Sequence, residues 1–238
     1  MKYLLNVRNI LLVFMMSFLI GNLSAQNSKL VNISYDPKSD SVFFARMHKY
    51  MAGIRKTRPT VALVLAGGGA KGAAHIGVLK YLEEKGIPVD FVAGTSMGGL
   101  MGGLYAMGYS ATEIDSIVQA VDWNVMMSDN VPKTYYSYEK QLHKQTYVID
   151  IPFKGKEFVR SLPSGFLYGL NVYNMMSSLS VGYQHDMDFM DLPIPYCCVA
   201  TEIVSQTEKH WTSGPLIEAM RSTMSIPGYF RPVRVDSM

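Results

Sequence analysis

The sequence predicts an α/β fold in which a parallel sheet is covered by helices. The continuous apolar segment 61–66 is typical of a strand buried on both faces, and 89–95 indicates a second short strand. Each is followed by a segment that favours a helix, 73–85 and 97–107. Strands that alternate with helices indicate a parallel sheet, because parallel strands need a long crossover connection.

Composition excludes several classes of protein. Of 238 residues, 48% are hydrophobic and 17% are charged, which is typical of a globular chain and excludes disorder for most of it. The two cysteines, Cys197 and Cys198, are adjacent, which excludes a disulfide scaffold and a cysteine-rich zinc site. A net charge of +3 is too small to indicate nucleic-acid binding.

The first 25 residues have the pattern of a secretory signal. Lys2 and Arg8 precede an apolar run at 10–20, and small residues follow up to Ala25. The run has eleven residues, whereas a membrane-spanning helix needs about 20. We therefore expect a signal peptide at 1–25 and an exported protein in the periplasm, in the outer membrane or secreted; the alternative is an uncleaved membrane anchor.

Two further segments are expected in the mature chain. Residues 26–58 form an N-terminal extension with one helix, which starts near Asp40 or Ser41. Residues 59–238 form the main domain. The apolar side of the predicted helix is made by Val42, Phe43, Met47, Tyr50 and Met51.

Later elements follow from local signals. Ser110 and Glu113 have the spacing of a capping box and predict the start of a helix. Apolar residues at helical spacing predict another helix at 172–179, and the segment 196–205 predicts a third buried strand. Ser213 is expected to cap the last helix.

The strongest chemical signal is a G-x-S-x-G motif at 94–98, which lies where a strand turns into a helix. In such a nucleophile elbow, Ser96 takes a strained backbone conformation, and Gly94 and Gly98 leave room for the tight turn. The helix that begins at Met97 would point its free N–H groups at a developing oxyanion. The glycines also allow close packing of this helix on the sheet.

A second glycine-rich turn follows the first strand and comprises Gly67, Gly68, Gly69, Ala70, Lys71 and Gly72. It matches the dinucleotide fingerprint G-x-G-x-x-G, but that interpretation needs an acidic residue at the end of the second strand. Asp90 lies at the start of that strand instead. The alternative is that Gly68 and Gly69 donate backbone N–H groups to an oxyanion beside Ser96, since both turns lie at the same sheet edge.

With these two motifs, the sequence resembles the patatin-like phospholipase family. The resemblance covers about 59–233 and includes the segment from Ser225-Ile226-Pro227 to Phe230. It implies a three-layer α/β/α fold with a mainly parallel central sheet. It also implies a serine acyl hydrolase that cleaves lipid esters without a cofactor or metal, in which Ser96 is the nucleophile and Gly67–Gly69 form the oxyanion hole.

The resemblance further implies a Ser–Asp dyad without a catalytic histidine. The family's aspartate lies in an Asp-Gly motif after the Ile-Pro-x-x-Phe segment, but this sequence contains no Asp-Gly pair, and Asp236 is followed by Ser237. We therefore expect the C-terminal part of the domain to be missing, the aspartate to lie past Met238, and the fragment alone to be inactive.

The resemblance also implies partners. These are a phospholipid or another lipid ester and a membrane surface, with a C-terminal outer-membrane barrel in a longer gene product.

Lys71 has two interpretations, a group that steers anionic headgroups or an ordinary exposed lysine. The tyrosine-rich stretch 123–173 is either a lipid-facing surface or ordinary core, and 147–160 could form a hairpin.

Two alternative functions stay open. A Ser-His-Asp lipase or esterase would use one of three histidines after Ser96, namely His143, His185 or His210. His75 follows the glycine turn and could approach the site. A lipid-binding module without catalytic activity is the non-enzymatic alternative.

Overall fold

A computed structural model describes residues 37–129, 165–203 and 205–234, all within one compact unit, Tyr35–Met238. The strands are β1 (Ala62–Leu65), β2 (Phe91–Thr95), β3 (Gly165–Leu167), β4 (Met187–Asp188), β5 (Tyr196–Thr201), β6 (Glu208–Trp211), β7 (Ser213–Gly214) and β8 (Gly228–Phe230). The helices are α1 (Pro37–Ile54), α2 (Ala74–Glu84), α3 (Met97–Ala106), α4 (Ala111–Ala120), α5 (Trp123–Met126), α6 (Leu170–Leu179) and α7 (Leu216–Thr223). Short 3₁₀ turns span Gly69–Ala73 and Phe189–Asp191.

The central sheet has the strand order β1-β2-β5-β6. The first three strands are parallel, and β6 runs antiparallel to β5. Leu65 pairs with Gly94, and Gly94 pairs with Cys198, so the carboxyl ends of the parallel strands lie at one edge. This register brings the two glycine-rich turns together, and the predicted mainly parallel sheet is confirmed.

Helices cover both faces of the sheet. The side chain of Val92 on β2 faces α3. A Cβ added at Gly102 on that helix would lie 2.8 Å from Cγ1 of Val92. Phe91 points to the opposite face, since side chains alternate along a strand, and its ring lies 6.3 Å from that of Phe43 on α1. The layers are therefore α1, the sheet, and α3 with α7, which is the three-layer α/β/α arrangement.

The adjacent cysteines point to opposite faces and are both buried and free. Cys198 pairs with Gly94 on the side of α3, whereas Cys197 lies on the side of α1. Burial, with the nearby Asp40 carboxylate, raises the pKa of the Cys197 thiol to about 12. Both thiols are therefore protonated at neutral pH and contribute to the core as small apolar groups.

The first strand differs from its prediction. The apolar run 61–66 was expected to be buried on both faces, but Val64 is 76% exposed. Among the described residues, β1 is an edge strand, and the cover that α1 gives to Phe91 does not reach Val64. The apolar composition of a strand does not reveal its position in the sheet.

The predicted ends of two helices are also wrong. Helix α1 begins at Pro37, and only Phe43 and Met51 of its predicted apolar side are buried, whereas Val42 and Tyr50 are exposed. Ser213 lies in β7 and caps nothing, because the residue before α7 is Pro215. The Ser110–Glu113 capping box is confirmed.

Three expectations lie outside the described residues. These are the signal peptide at 1–25, the hairpin at 147–160 and most of the tyrosine-rich stretch. The boundaries 26–58 and 59–238 stay predictions. No helix in the described part of the chain combines the length and the apolar character needed to cross a membrane.

Asp90 ties the start of the first two strands together at the edge far from Ser96. Its buried carboxylate accepts from both terminal nitrogens of Arg58 and from the backbone N–H of Val61, 2.8 Å away. Hydrogen bonding to the Arg58 guanidinium holds the pKa of Asp90 below its ordinary value, although burial opposes the shift. Asp90 is thus a structural anchor at the start of the first two strands.

We expect Asp90→Asn to lower the free energy of unfolding at pH 7 by about 2 kcal/mol, because it removes charge-assisted hydrogen bonds from a buried group. The native pKa is depressed, so this stability is present above the unfolded pKa of about 3.9 and is lost as the pH falls through the native pKa. Urea unfolding at pH 7 and pH 3 tests this.

Asp115→Asn is the matched control, since Asp115 pairs with Lys80 at the surface. Its effect should stay below about 1 kcal/mol. Equal losses of unfolding free energy in the two variants would show that the buried Asp90 carboxylate stabilises the fold no more than a surface ion pair does.

Candidate active site

Ser96 lies at the turn between β2 and α3 in a strained backbone conformation. Its φ and ψ are 53° and −124°, and Gln206 is the one other described non-glycine residue with a positive φ. Such angles cost of order 1–3 kcal/mol and persist only where the surrounding structure fixes them. The predicted strand–turn–helix context of the G-x-S-x-G motif is confirmed.

Helix α3 approaches the strand ends so closely that only glycine fits. A Cβ added at Gly98 would lie 2.6 Å from the carbonyl oxygen of Ala66, and one at Gly94 would lie 2.7 Å from the Cα of Gly99. Both contacts are with backbone, which cannot move aside as a side chain can. The two motif glycines therefore serve close packing, and close packing fixes the position of Ser96.

The two glycine-rich turns meet as predicted. A Cβ added at Gly67 would lie 3.2 Å from the Cβ of Ser96, and one at Gly72 would lie 2.6 Å from the Cβ of Met97. The first turn continues into the 3₁₀ segment Gly69–Ala73 and then into α2. The backbone of Gly67 is thus the immediate neighbour of the Ser96 side chain.

Backbone N–H groups in the first turn are available to a ligand. The N–H groups of Gly68 and Gly69 donate to no acceptor in the described parts of the chain, and both residues are exposed. Gly69 has a φ of 55°, which favours glycine. The Gly68 carbonyl accepts from the N–H of Lys71 at 3.2 Å, which closes the turn.

The hydroxyl of Ser96 has no hydrogen-bond partner among residues 37–129, 165–203 and 205–234. The Nε2–H group of His75 donates to the carbonyl oxygen of Ala66, 2.9 Å away. His210 lies 2.7 Å from the buried Asp40 carboxylate on α1, and His185 is exposed. His143 lies outside the described residues, and Lys71 is exposed beside the turn.

Sequence reasoning missed Thr223, the last residue of α7. Its Oγ1 accepts from the backbone N–H of Ser96 at 2.9 Å and donates to the carbonyl of Val199. The one signal in the sequence is its place just before the Ser225-Ile226-Pro227 segment.

Buried Arg221 fixes the end of α7 that carries Thr223. Its guanidinium donates to the carbonyls of Tyr168 and Arg231 and to the hydroxyl of Ser225, and it lies over the Phe230 ring. Burial lowers its pKa from the ordinary arginine value. No three described His, Cys, Asp or Glu side chains form a group that could hold a metal ion.

A family model described as patatin-like phospholipase matches residues 63–238, which is more than half of the chain. The chain belongs to the patatin-like phospholipase family. The α/β architecture with a mainly parallel central sheet is that of the patatin-like fold. The family supports a hydrolase of lipids.

Curated relatives of this patatin-like chain include neuropathy target esterase sws from Drosophila melanogaster, 35% identical over 191 residues. The protein of the same name from Drosophila sechellia is 34% identical over 190 residues. Each match covers 80% of the chain and 11% of the relative. The chain therefore spans about a tenth of the length of these relatives.

Solved structures with a similar fold come from two bacteria. ExoU in its complex with SpcU from Pseudomonas aeruginosa has a TM-score of 0.44 and 22% identity, over 76% of this chain and 39% of that one. VipD from Legionella pneumophila has a TM-score of 0.45 and 14% identity, over 74% of this chain and 44% of that one.

The relatives contradict the predicted export. They are neuropathy target esterases of Drosophila, and neither their names nor their matches support export. The expectation of an exported, periplasmic, outer-membrane or secreted protein is therefore corrected. The signal peptide at 1–25 itself lies outside the described residues and stays a prediction.

We expect Gly98→Ala to lower the free energy of unfolding by about 3 kcal/mol, because the new methyl group overlaps the backbone at the end of β1. Gly77→Ala on α2 is the control, since a Cβ there meets nothing within 4 Å. It should raise stability by up to about 1 kcal/mol through helix propensity. Chemical unfolding of both variants measures the difference, and a well-tolerated Gly98→Ala would contradict the close approach.

Proposed function

We propose that the chain is a serine acyl hydrolase that cleaves lipid esters, with Ser96 as the nucleophile. The observation that carries this is the contact between the strained Ser96 turn and the exposed glycine turn at Gly67. A hydroxyl and a set of available N–H groups beside each other are what acyl transfer needs. Gly94, Gly98, Lys71 and Gly72 support the geometry rather than react.

The reaction proceeds in two halves. Ser96 Oγ attacks the acyl carbonyl carbon and transfers its proton to a general base, while the carbonyl oxygen becomes an oxyanion beside the Gly67–Gly69 N–H groups. The ester C–O bond then breaks, and the alcohol leaves with the proton from the base. Water, activated by the same base, attacks the acyl-enzyme and releases the fatty acid and Ser96.

The proposed oxyanion hole gains from the position of α3. The first N–H groups of a helix are not used within the helix and carry partial positive charge. Helix α3 begins at Met97, directly after the nucleophile, so its dipole favours negative charge at the reacting carbonyl. Removing one oxyanion donor in a hydrolase typically costs about 100- to 1000-fold in rate.

The proposed base is an aspartate outside the described residues. Two observations favour this over a histidine: Ser96 Oγ has no described partner, and His75 and His210 are engaged with Ala66 and Asp40. That the base is an aspartate is implied by the resemblance to the patatin-like phospholipase family. A Ser-His-Asp enzyme would instead need His143 or His185, neither of which any observation places near Ser96.

The substrate class follows from the family and the relatives. The family is named for phospholipases, and the relatives are named esterases, which supports an ester of a lipid as the substrate. Phospholipids are the first choice because they are the substrates that the family name states. Hydrolysis of lipids also requires access to a lipid surface.

An exposed apolar rim supports docking on such a surface. It is formed by the side chains of Trp123, Val125, Tyr168, Leu170, Tyr173, Ile226 and Tyr229. Its segments touch, since Tyr229 donates to the carbonyl of Met127 at 3.0 Å and Asn171 donates to that of Val125. Ile226 lies three residues after Thr223, which binds the Ser96 amide, so this end of the rim is close in sequence to a residue that contacts the nucleophile turn.

A fluorophosphonate probe tests the nucleophile. We expect the full-length protein to be labelled, and Ser96→Ala to lose both the label and hydrolysis of a phospholipid by at least about 10⁴-fold, because Ser96 is the proposed site of the acyl-enzyme. Ser116→Ala, an exposed serine on α4, should behave as wild type. Labelling that persists in Ser96→Ala would contradict the assignment, and a folded full-length protein that takes no label would favour the inactive lipid-binding module.

Vesicle sedimentation tests the apolar rim. Leu170→Ser/Tyr173→Ser should weaken binding to phosphatidylcholine vesicles by about tenfold, because two half-exposed apolar groups lose their burial in lipid. Val42→Ser/Tyr50→Ser on α1 removes a similar exposed area and should leave binding unchanged. Equal effects of the two pairs would exclude a specific docking surface.

A further inference from the structure

Thr223 links three elements at the back of the nucleophile turn. Its Oγ1 accepts the Ser96 N–H at 2.9 Å and donates its own proton to the carbonyl of Val199. Val199 lies on β5 and pairs with Thr95, the residue before Ser96. One buried hydroxyl therefore ties the turn after β2 to the neighbouring strand and to the last residue of α7.

The second branch of the Thr223 side chain has a separate contact. A Cβ added at Gly99 would lie 2.8 Å from Thr223 Cγ2, so the methyl group packs on the first turn of α3. With the methyl against Gly99 and the hydroxyl between Ser96 and Val199, the rotamer of Thr223 is determined at both branches. A β-branched side chain has little freedom about χ1, which suits it to a fixed bridge.

We propose that Thr223 is a positioning residue for the nucleophile. By holding the Ser96 N–H, it maintains the positive φ that aims Ser96 Oγ at the substrate, and it keeps that N–H out of the oxyanion hole. In some serine hydrolases the nucleophile's own N–H is an oxyanion donor. Here it is occupied, so the oxyanion donors come from the Gly67–Gly69 turn and the start of α3. This inference rests on the proposed hydrolase function.

The bridge requires a hydroxyl for a chemical reason. Oγ1 accepts one hydrogen bond and donates another, which neither a methyl group nor an amine can do in the same place. Valine has the shape of threonine and can make neither bond. Serine can make both bonds and lacks only the methyl group. These two replacements therefore separate the hydrogen bonds from the packing.

The experiment compares Thr223→Val and Thr223→Ser with wild type, all in the full-length protein. In Thr223→Val we expect kcat, normalised to fluorophosphonate-labelled sites, to fall by about 10- to 100-fold with KM changed less than about threefold, since small misplacements of a reacting group have effects of this size. Thr223→Ser should keep kcat within about threefold. Thr212→Val, a buried threonine after β6, is the control and should leave kcat unchanged.

Amide hydrogen exchange gives a readout that does not depend on activity. The Ser96 amide should exchange at least about tenfold faster in Thr223→Val, whereas Thr223→Ser should keep it protected. Wild-type kcat with unchanged Ser96 exchange in a folded Thr223→Val overturns the inference. If Thr223→Val does not fold, a Thr223→Ser variant that loses Ser96 protection or more than tenfold in kcat overturns it equally.

The same measurements distinguish failure of the proposed hydrolase function from failure of the positioning role of Thr223. If wild type shows no hydrolysis that depends on Ser96, the hydrolase assignment is wrong, while the exchange rates still decide whether Thr223 holds the Ser96 amide. If hydrolysis depends on Ser96 and does not respond to Thr223→Val, only the positioning role is wrong.

Discussion

The close approach of α3 to the ends of β1 and β2 is the constraint on which the rest of this structure depends. Gly98 contacts the backbone at the end of β1, and Gly94 contacts the backbone of α3. Backbone-to-backbone contact at this distance leaves no room for any Cβ. It places the helix N-terminus beside Ser96 and brings the turn at Gly67 against the same side chain. The strained conformation of Ser96, the position of the Gly67 turn and the helix dipole at the site all depend on this contact.

The strained turn persists because several elements hold it at once. Ser96 has neighbours on each side: the first glycine turn, the start of α3, and Thr223 on α7. Helix α7 is fixed in turn by the buried Arg221, which donates to carbonyls of two other segments. Thr223 on this helix links the Ser96 amide to the carbonyl of Val199 on β5. The reactive hydroxyl itself is left without a described partner, which suits a group that must meet a substrate and a base.

Much of the fold was predictable because its signals are local. The capping box at Ser110, the G-x-S-x-G turn and the apolar segment of β5 each depend on neighbours in the sequence, and all are confirmed. The exposure of Val64 and the false cap at Ser213 were not predictable, because each depends on which distant element lies alongside. The relatives do not support the predicted export, and a short compositional pattern such as that at 1–25 does not by itself establish a location.

The sequence by itself determined the alternation of the first two strands with helices, the two glycine-rich turns and the family, because backbone propensity and motif spacing act over a few residues. Only the tertiary structure decided that a threonine more than a hundred residues away binds the Ser96 amide, and that Asp90 anchors the opposite edge of the sheet. Those contacts depend on strand order and helix position. They result from the packing of the whole domain, which no local pattern encodes.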